Sequence, residues 1–184
     1  MADRRFYFFW IFFFLAVSLC LSEKAIAGDK DRYFELGIGG GTNLFQSLNT
    51  EQAIITPAVN WKIKDVKSLW FRLEGDIELI NDDRRTTLVF GAAPMLRLFL
   101  KEMGNNKPFI EAGAGANFIS RNRIEDRHLG GSFVFSFMGG VGYEFKTGGR
   151  PVGISYRYRH ISNAGLYAPN EGIDSQYLIL SIGF

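Results

Sequence analysis

The sequence predicts an all-β fold, an eight-stranded antiparallel transmembrane barrel of the outer-membrane kind, on three observations. Apolar residues alternate with polar or small ones in run after run, the period of two at which a strand's side chains change face. Eight such runs are joined by connections that are alternately short and mostly longer, as the turns and loops of a membrane barrel are. The chain closes on Leu178, Leu180, Ile182 and Phe184, and a final aromatic ending an alternating strand resembles the signal that outer-membrane barrels present to their insertion machinery. Composition agrees: 18 Phe and 21 Gly among 184 residues suit a glycine-rich, aromatic-girdled barrel better than a helical globule. A net charge of +2 gives no footing for nucleic acid.

Residues 1–27 read as a cleaved signal peptide and residues 28–184 as the barrel. Arg4 and Arg5 precede an apolar run from Phe6 to Leu21, and Ala25-Ile26-Ala27 offers an A-x-A cleavage site before Gly28. Cys20 is the only cysteine and leaves with the leader, so the mature chain is expected to have neither a disulfide nor thiol chemistry.

The eight runs follow in order. Phe34, Leu36 and Ile38 mark the first, and Ile55, Val59, Trp61 and Ile63 the second. In the third, Phe71, Leu73, Ile77 and Leu79 alternate with Arg72, Glu74, Asp76 and Glu78. A soluble sandwich would turn that charged face to water; a membrane barrel would turn it to the lumen, against Lys62, Arg97, Glu111, Arg157 and Arg159. Leu88, Phe90, Leu96 and Leu98 mark the fourth run, with Pro94 a bulge or a lipid-facing kink. Ile110, Ala112, Ala114 and Phe118 mark the fifth; Phe133, Phe135, Phe137, Val141, Tyr143 and Phe145 mark the sixth. The seventh runs through Val152, Ile154, Tyr156 and Tyr158, and the eighth is the closing strand. Connections 64–68, 101–107 and 146–150 are the short ones, and 41–51, 80–86, 120–131 and 163–173 the others. Pairing the eighth run with the first leaves no open edge.

Parity carries into the last corner. His160 and Ser162 continue the apolar face of the seventh run, and Asp174 continues that of the eighth. In a membrane barrel that face looks outward, so the three groups meet on the outside, at the extracellular rim. Polar groups there are costly in lipid and usually functional, whereas in the headgroup zone they cost little. They are the parts of a hydrolytic triad: a hydroxyl that is a weak nucleophile until an imidazole takes its proton, and a carboxylate that fixes the imidazole tautomer. Backbone N–H groups of Asn163, Ala164 and Gly165, or the Asn163 side chain, are the candidate oxyanion donors. Neither a G-x-S-x-G elbow nor an H-E-x-x-H zinc motif is present, and no metal or cofactor is called for.

His160-Ile161-Ser162-Asn163-Ala164-Gly165, followed by Asn170-Glu171-Gly172-Ile173-Asp174, resembles the H-x-S-N-A-G…N-P-G-x-E signature of the lipid A 3-O-deacylase (PagL) family. The close match covers about residues 133–184. The resemblance implies a membrane-embedded outer-membrane esterase that hydrolyses the 3-O-linked acyl chain of lipid A in lipopolysaccharide. It implies Ser162 as nucleophile, His160 as general base, Asn163 and Gly165 at the oxyanion hole, and Asn170 as a residue that shapes the loop. The sequence departs from the signature twice. The family's Glu is here Asp174, shorter by one methylene, and its Pro is here Glu171, an alternative acid. Parity favours Asp174, because it points at His160.

Other candidates are looser. Arg84, Arg85, Arg121, Arg123 and Arg127 lie in the outer connections, where guanidinium groups would suit lipid A phosphates. His128, in the long connection 120–131, reads as a solvated loop residue. Two other functions fit the same fold: a non-catalytic barrel for adhesion or membrane integrity, and a lipid A acyltransferase sharing the acyl-enzyme step. The first has no reason to align a His, a Ser and a carboxylate on one face; the second differs only in the acceptor.

Overall fold

The structure is a computed structural model, and it describes residues 31–184 apart from 46–47, 67, 83 and 102–105. The leader expected over residues 1–27 lies outside the described residues. Eight strands close into one antiparallel barrel: β1 (Arg32–Asn43), β2 (Thr50–Lys62), β3 (Leu69–Asp82), β4 (Arg85–Phe99), β5 (Asn106–Ile119), β8 (Phe133–Thr147), β9 (Arg150–Ser162) and β10 (Ile173–Gly183). Each barrel strand pairs with its neighbours in the chain, and β10 closes onto β1 from Glu35–Gly183 to Asn43–Ser175. A small hairpin, β6 (Arg123–Ile124) and β7 (Arg127–His128), stands in the connection after β5.

Alternation sorts the side chains as the period requires. The outside is an apolar band, with Ile38 at 64% and Leu178 at 57% exposure. Aromatic residues mark both ends of that band. Towards the turns, Trp61 meets Phe71 at 5.7 Å and Phe34 meets Phe184 at 6.1 Å between ring centroids. Towards the loops, Phe90, Phe118, Phe133 and Phe135 run in a row, centroids 5.2–5.9 Å apart. Pro94 faces outward in this band, with no bulge between the pairs Ala92–Ala116 and Met95–Gly113.

The lumen is packed with charge. Glu35, Arg72, Glu74, Arg157, Glu111 and Arg97 form a closed ring in which each acid touches two arginines and each arginine two acids. Five strands contribute to it. Arg72–Glu35 is 2.8 Å, Arg97–Glu111 is 2.9 Å and Arg157–Glu111 is 2.7 Å. Above the ring, Arg159 pairs with Glu78 at 2.5 Å and donates to Asn117 at 2.9 Å. Four of the five charges expected to answer the third run are therefore lumenal. Lys62 is not: it stands at the turn end and pairs with Asp31 at 3.5 Å, and Glu35 takes the remaining place in the ring. A cavity of about 720 Å³, lined among others by Tyr33, Lys62, Trp70, Phe99 and Glu144, opens at that end.

The loop end of the lumen is apolar. Ile80, Val89, Ile119, Val134, Ile161 and Ile173 occupy inward positions near the loop ends of their strands, and Ile124 and Leu129 pack with them from the connection that carries β6 and β7. The lumen is thus plugged beneath the candidate site. The connection at 80–86 is shorter than the sequence suggested. β3 and β4 pair up to Asp82–Arg85, because the Asp82 carboxylate accepts the Arg85 N–H at 2.8 Å and caps the hairpin.

Candidate functional site

β9 is held from inside. Arg157 and Arg159 point into the lumen, locked by the ring and by Glu78, so the opposite parity places Tyr158, His160 and Ser162 on the outer face. In the β9–β10 ladder His160 lies directly across from Asp174, and in the β8–β9 ladder Ser162 lies across from Phe135. Direct pairing puts Cβ atoms about 4.5–5.5 Å apart, within side-chain reach. His160 Nδ1 stands 2.9 Å from Asp174 Oδ1, and that side of the ring is fixed. The two side chains are 38% and 21% exposed, a boundary setting, neither core nor open water.

Ser162 is half-buried, two residues along the same face as His160. Among the described residues its hydroxyl makes no hydrogen bond. The row of Phe rings along the outer rim ends at Phe135, beside Ser162.

The connection 163–172 is organised by Asn163. Its side chain is buried and points inward: Nδ2 donates to Leu129 O at 2.6 Å and Tyr167 O at 2.8 Å, and Oδ1 accepts the Gly165 N–H at 2.8 Å. The Asn163 N–H in turn donates to Asn170 Oδ1 at 2.9 Å, across the connection. Both expected oxyanion donors are therefore engaged within the loop. Ala164 and Gly165 are left-handed, at φ of 53° and 81°, and carry the chain through the corner. At its other end Gly172, at φ 58°, lies against the imidazole: a Cβ there would come within 2.8 Å of His160 Cε1. Only glycine fits both the backbone angle and the ring.

Glu171, the alternative acid, turns away from His160. Its carboxylate accepts the His128 N–H at 2.5 Å, its N–H donates to His128 O at 3.2 Å, and Arg127 Nη1 donates to its carbonyl at 3.2 Å. His128 is tied into the loop rather than simply solvated, and its Nδ1 accepts the Gly130 N–H at 3.2 Å. Arg121 pairs with Asp82 at 3.1 Å and Arg123 Nε donates to Glu125 O at 3.2 Å, while Arg84 and Arg85 are exposed. Sequence reasoning missed Tyr158. Its hydroxyl donates to Asp174 Oδ1 at 2.5 Å, the oxygen that His160 also uses. Its parity with His160 was the available signal.

The fold defines the chain as a closed eight-stranded barrel of the outer-membrane type, with a polar cluster set in its lipid-side face. The family model for lipid A 3-O-deacylase (PagL) matches residues 55–182, and the chain belongs to that family. A lipid A deacylase PagL of Pseudomonas aeruginosa is 46% identical over 76 residues, covering 41% of this chain and 42% of that protein. One of Bordetella bronchiseptica is 36% identical over 93 residues, covering 50% and 48%. In these matches the chain spans about half the length of its curated relatives. The solved structure of the outer membrane enzyme PagL superposes with a TM-score of 0.66 at 26% identity, covering 80% of this chain and 97% of that one. Neisserial surface protein A shares the fold at a TM-score of 0.58 and 14% identity, over 83% of this chain and 95% of that one.

Proposed function

We propose that this protein is an outer-membrane esterase that hydrolyses the 3-O-linked acyl chain of lipid A, with Ser162 as nucleophile, His160 as general base and Asp174 as the acid that orients it. The observation that carries this reading is the outward-facing His160–Asp174 pair at 2.9 Å, with Ser162 on the same face at the loop end of an apolar band. Loops face outward in such barrels, so the pair sits at the depth of outer-leaflet ester linkages, and sharing the membrane supplies proximity.

His160 Nε2 takes the hydroxyl proton as Ser162 Oγ attacks the ester carbonyl. Asp174 holds Nδ1–H and stabilises the imidazolium. Collapse expels the lipid A hydroxyl, protonated by His160, and leaves an acyl group on Ser162. A water activated by His160 then releases the fatty acid. The oxyanion is met by loop N–H groups around Asn163 and Gly165, which must share or exchange their bonds to Asn170 and Asn163 as charge develops. Exposed Arg84 and Arg85 at the outer rim are placed to meet lipid A phosphates.

Mass spectrometry of lipid A from cells expressing the wild type or Ser162→Ala tests the reading. Loss of one ester-linked 3-hydroxyacyl chain with the wild type alone is the expected result. Identical lipid A in both, with both barrels heat-modifiable and inserted, contradicts it.

A further inference from the structure

Asp174 meets His160 Nδ1 through Oδ1 at 2.9 Å. Its side chain is 21% exposed and that of His160 38%.

The His160 strand supplies a second donor to that oxygen. The Tyr158 phenol donates to Asp174 Oδ1 at 2.5 Å, while His160 Nδ1 meets the same oxygen at 2.9 Å. Tyr158 lies opposite Gln176 in the ladder, one outward position below the His160–Asp174 pair, so its ring spans the diagonal between two levels of β9 and β10. A tyrosine has only two side-chain torsions, and here its backbone is clamped from behind by Arg157 and Arg159. The neighbouring Tyr156 makes a different bond: its hydroxyl donates to Gln176 Oε1 at 2.8 Å.

We infer that Tyr158 is the positioning residue of the site: its hydroxyl fixes the Asp174 carboxylate, and through it the orientation and tautomer of His160. The inference rests on the deacylase reading for its kinetic consequence, though not for its structural one. Tyr158 touches no substrate in this scheme. It acts only through Asp174, so its removal affects turnover and leaves substrate affinity in place.

The full chain, refolded in detergent with purified lipid A as substrate, tests this with Tyr158→Phe, Asp174→Asn, the double variant and Tyr156→Phe. Losing one charge-assisted hydrogen bond predicts a kcat about ten- to a hundredfold lower for Tyr158→Phe, with KM within about twofold. In the Asp174→Asn background the same change should have no further effect, and Tyr156→Phe should match the wild type. A kcat unchanged in Tyr158→Phe, or a loss that multiplies undiminished onto Asp174→Asn, overturns the inference. Heat-modifiability shows that each variant has folded. A wild type that releases no acyl chain instead contradicts the deacylase reading. The positioning role is then read from the ¹⁵N histidine spectrum of His160, assigned against His128→Gln. Tyr158→Phe should reduce the Nδ1–H tautomer and Tyr156→Phe should not; identical spectra for the wild type and Tyr158→Phe overturn the inference.

Discussion

A two-residue repeat decided where His160, Ser162 and Asp174 point. Because strand side chains alternate, anchoring Arg157 and Arg159 in the lumen obliges Tyr158, His160 and Ser162 to face out. Cross-strand register did the rest, setting Asp174 opposite His160. Glu171 shows what a loop residue lacks: without a register to aim it, its carboxylate is spent on the His128 backbone. Asp174→Asn should therefore lower kcat by about two to four orders of magnitude, as losing the orienting acid of a triad does. Glu171→Gln should leave kcat within about twofold. Steady-state kinetics on lipid A checks both, and the reverse ranking would transfer the role to Glu171. As candidates, His160, Ser162 and Asp174 were legible in the sequence because strand parity puts them on one face. Tyr158 was not, since a tyrosine in an outward stripe looks like any lipid-facing aromatic until its phenol is seen to reach diagonally to Asp174.

The elements around the site are fastened at the loop end by Asp82. Its carboxylate accepts N–H bonds from Arg85 at 2.8 Å and Glu125 at 3.3 Å, and pairs with Arg121 at 3.1 Å. Burial pushes this carboxyl up, but the Glu125 and Arg85 N–H groups and the Arg121 guanidinium outweigh it and hold the group below the ordinary aspartate range. A depressed folded-state value means the stabilisation is fully present above the ordinary pKa of about 4, and is lost as pH falls through the lower folded value. Acidification below about pH 4 should thus loosen residues 120–131 before the barrel opens. Amide exchange of that segment across pH checks it, and Asp82→Asn should already exchange fast at neutral pH. Equal protection of the wild type at pH 3 and pH 7 would contradict the account. Strand existence was legible in the alternation; strand length here was not, because the Asp82 cap that shortens the 80–86 connection depends on contacts with Glu125 and Arg121, far along the chain. The apolar plug was similarly hidden. Ile80, Val89 and Ile161 sit on the polar parity of their strands, a break whose reason appears only when Ile124 and Leu129 fold in over them.

At the scale of the molecule, a ring of three acids and three arginines replaces the hydrophobic core of a soluble protein. Such a ring tolerates removal of a whole unit better than removal of one partner, because the survivors are left charged and dry. Glu111→Gln leaves Arg97 with Glu35 alone and Arg157 with Glu74 alone, an excess of buried positive charge that should cost roughly 3–5 kcal/mol. Urea unfolding in lipid vesicles checks that figure, and a loss below about 1 kcal/mol would mean the ring is well watered. Since Arg157 belongs to β9, the same change should also loosen the outward His160 side of that strand. The charged third run was readable as lumenal only in company with its partners. Lys62 was misplaced among them because its position near a turn allows it to reach the mouth instead.

The most direct test of the central claim uses the protein in vesicles with purified lipid A, in water enriched in ¹⁸O. Hydrolysis through Ser162 predicts free 3-hydroxy fatty acid carrying one ¹⁸O in its carboxyl group, and none released by Ser162→Ala. Equal release by Ser162→Ala, or an acyl chain transferred to another lipid with no labelled free acid, would contradict it.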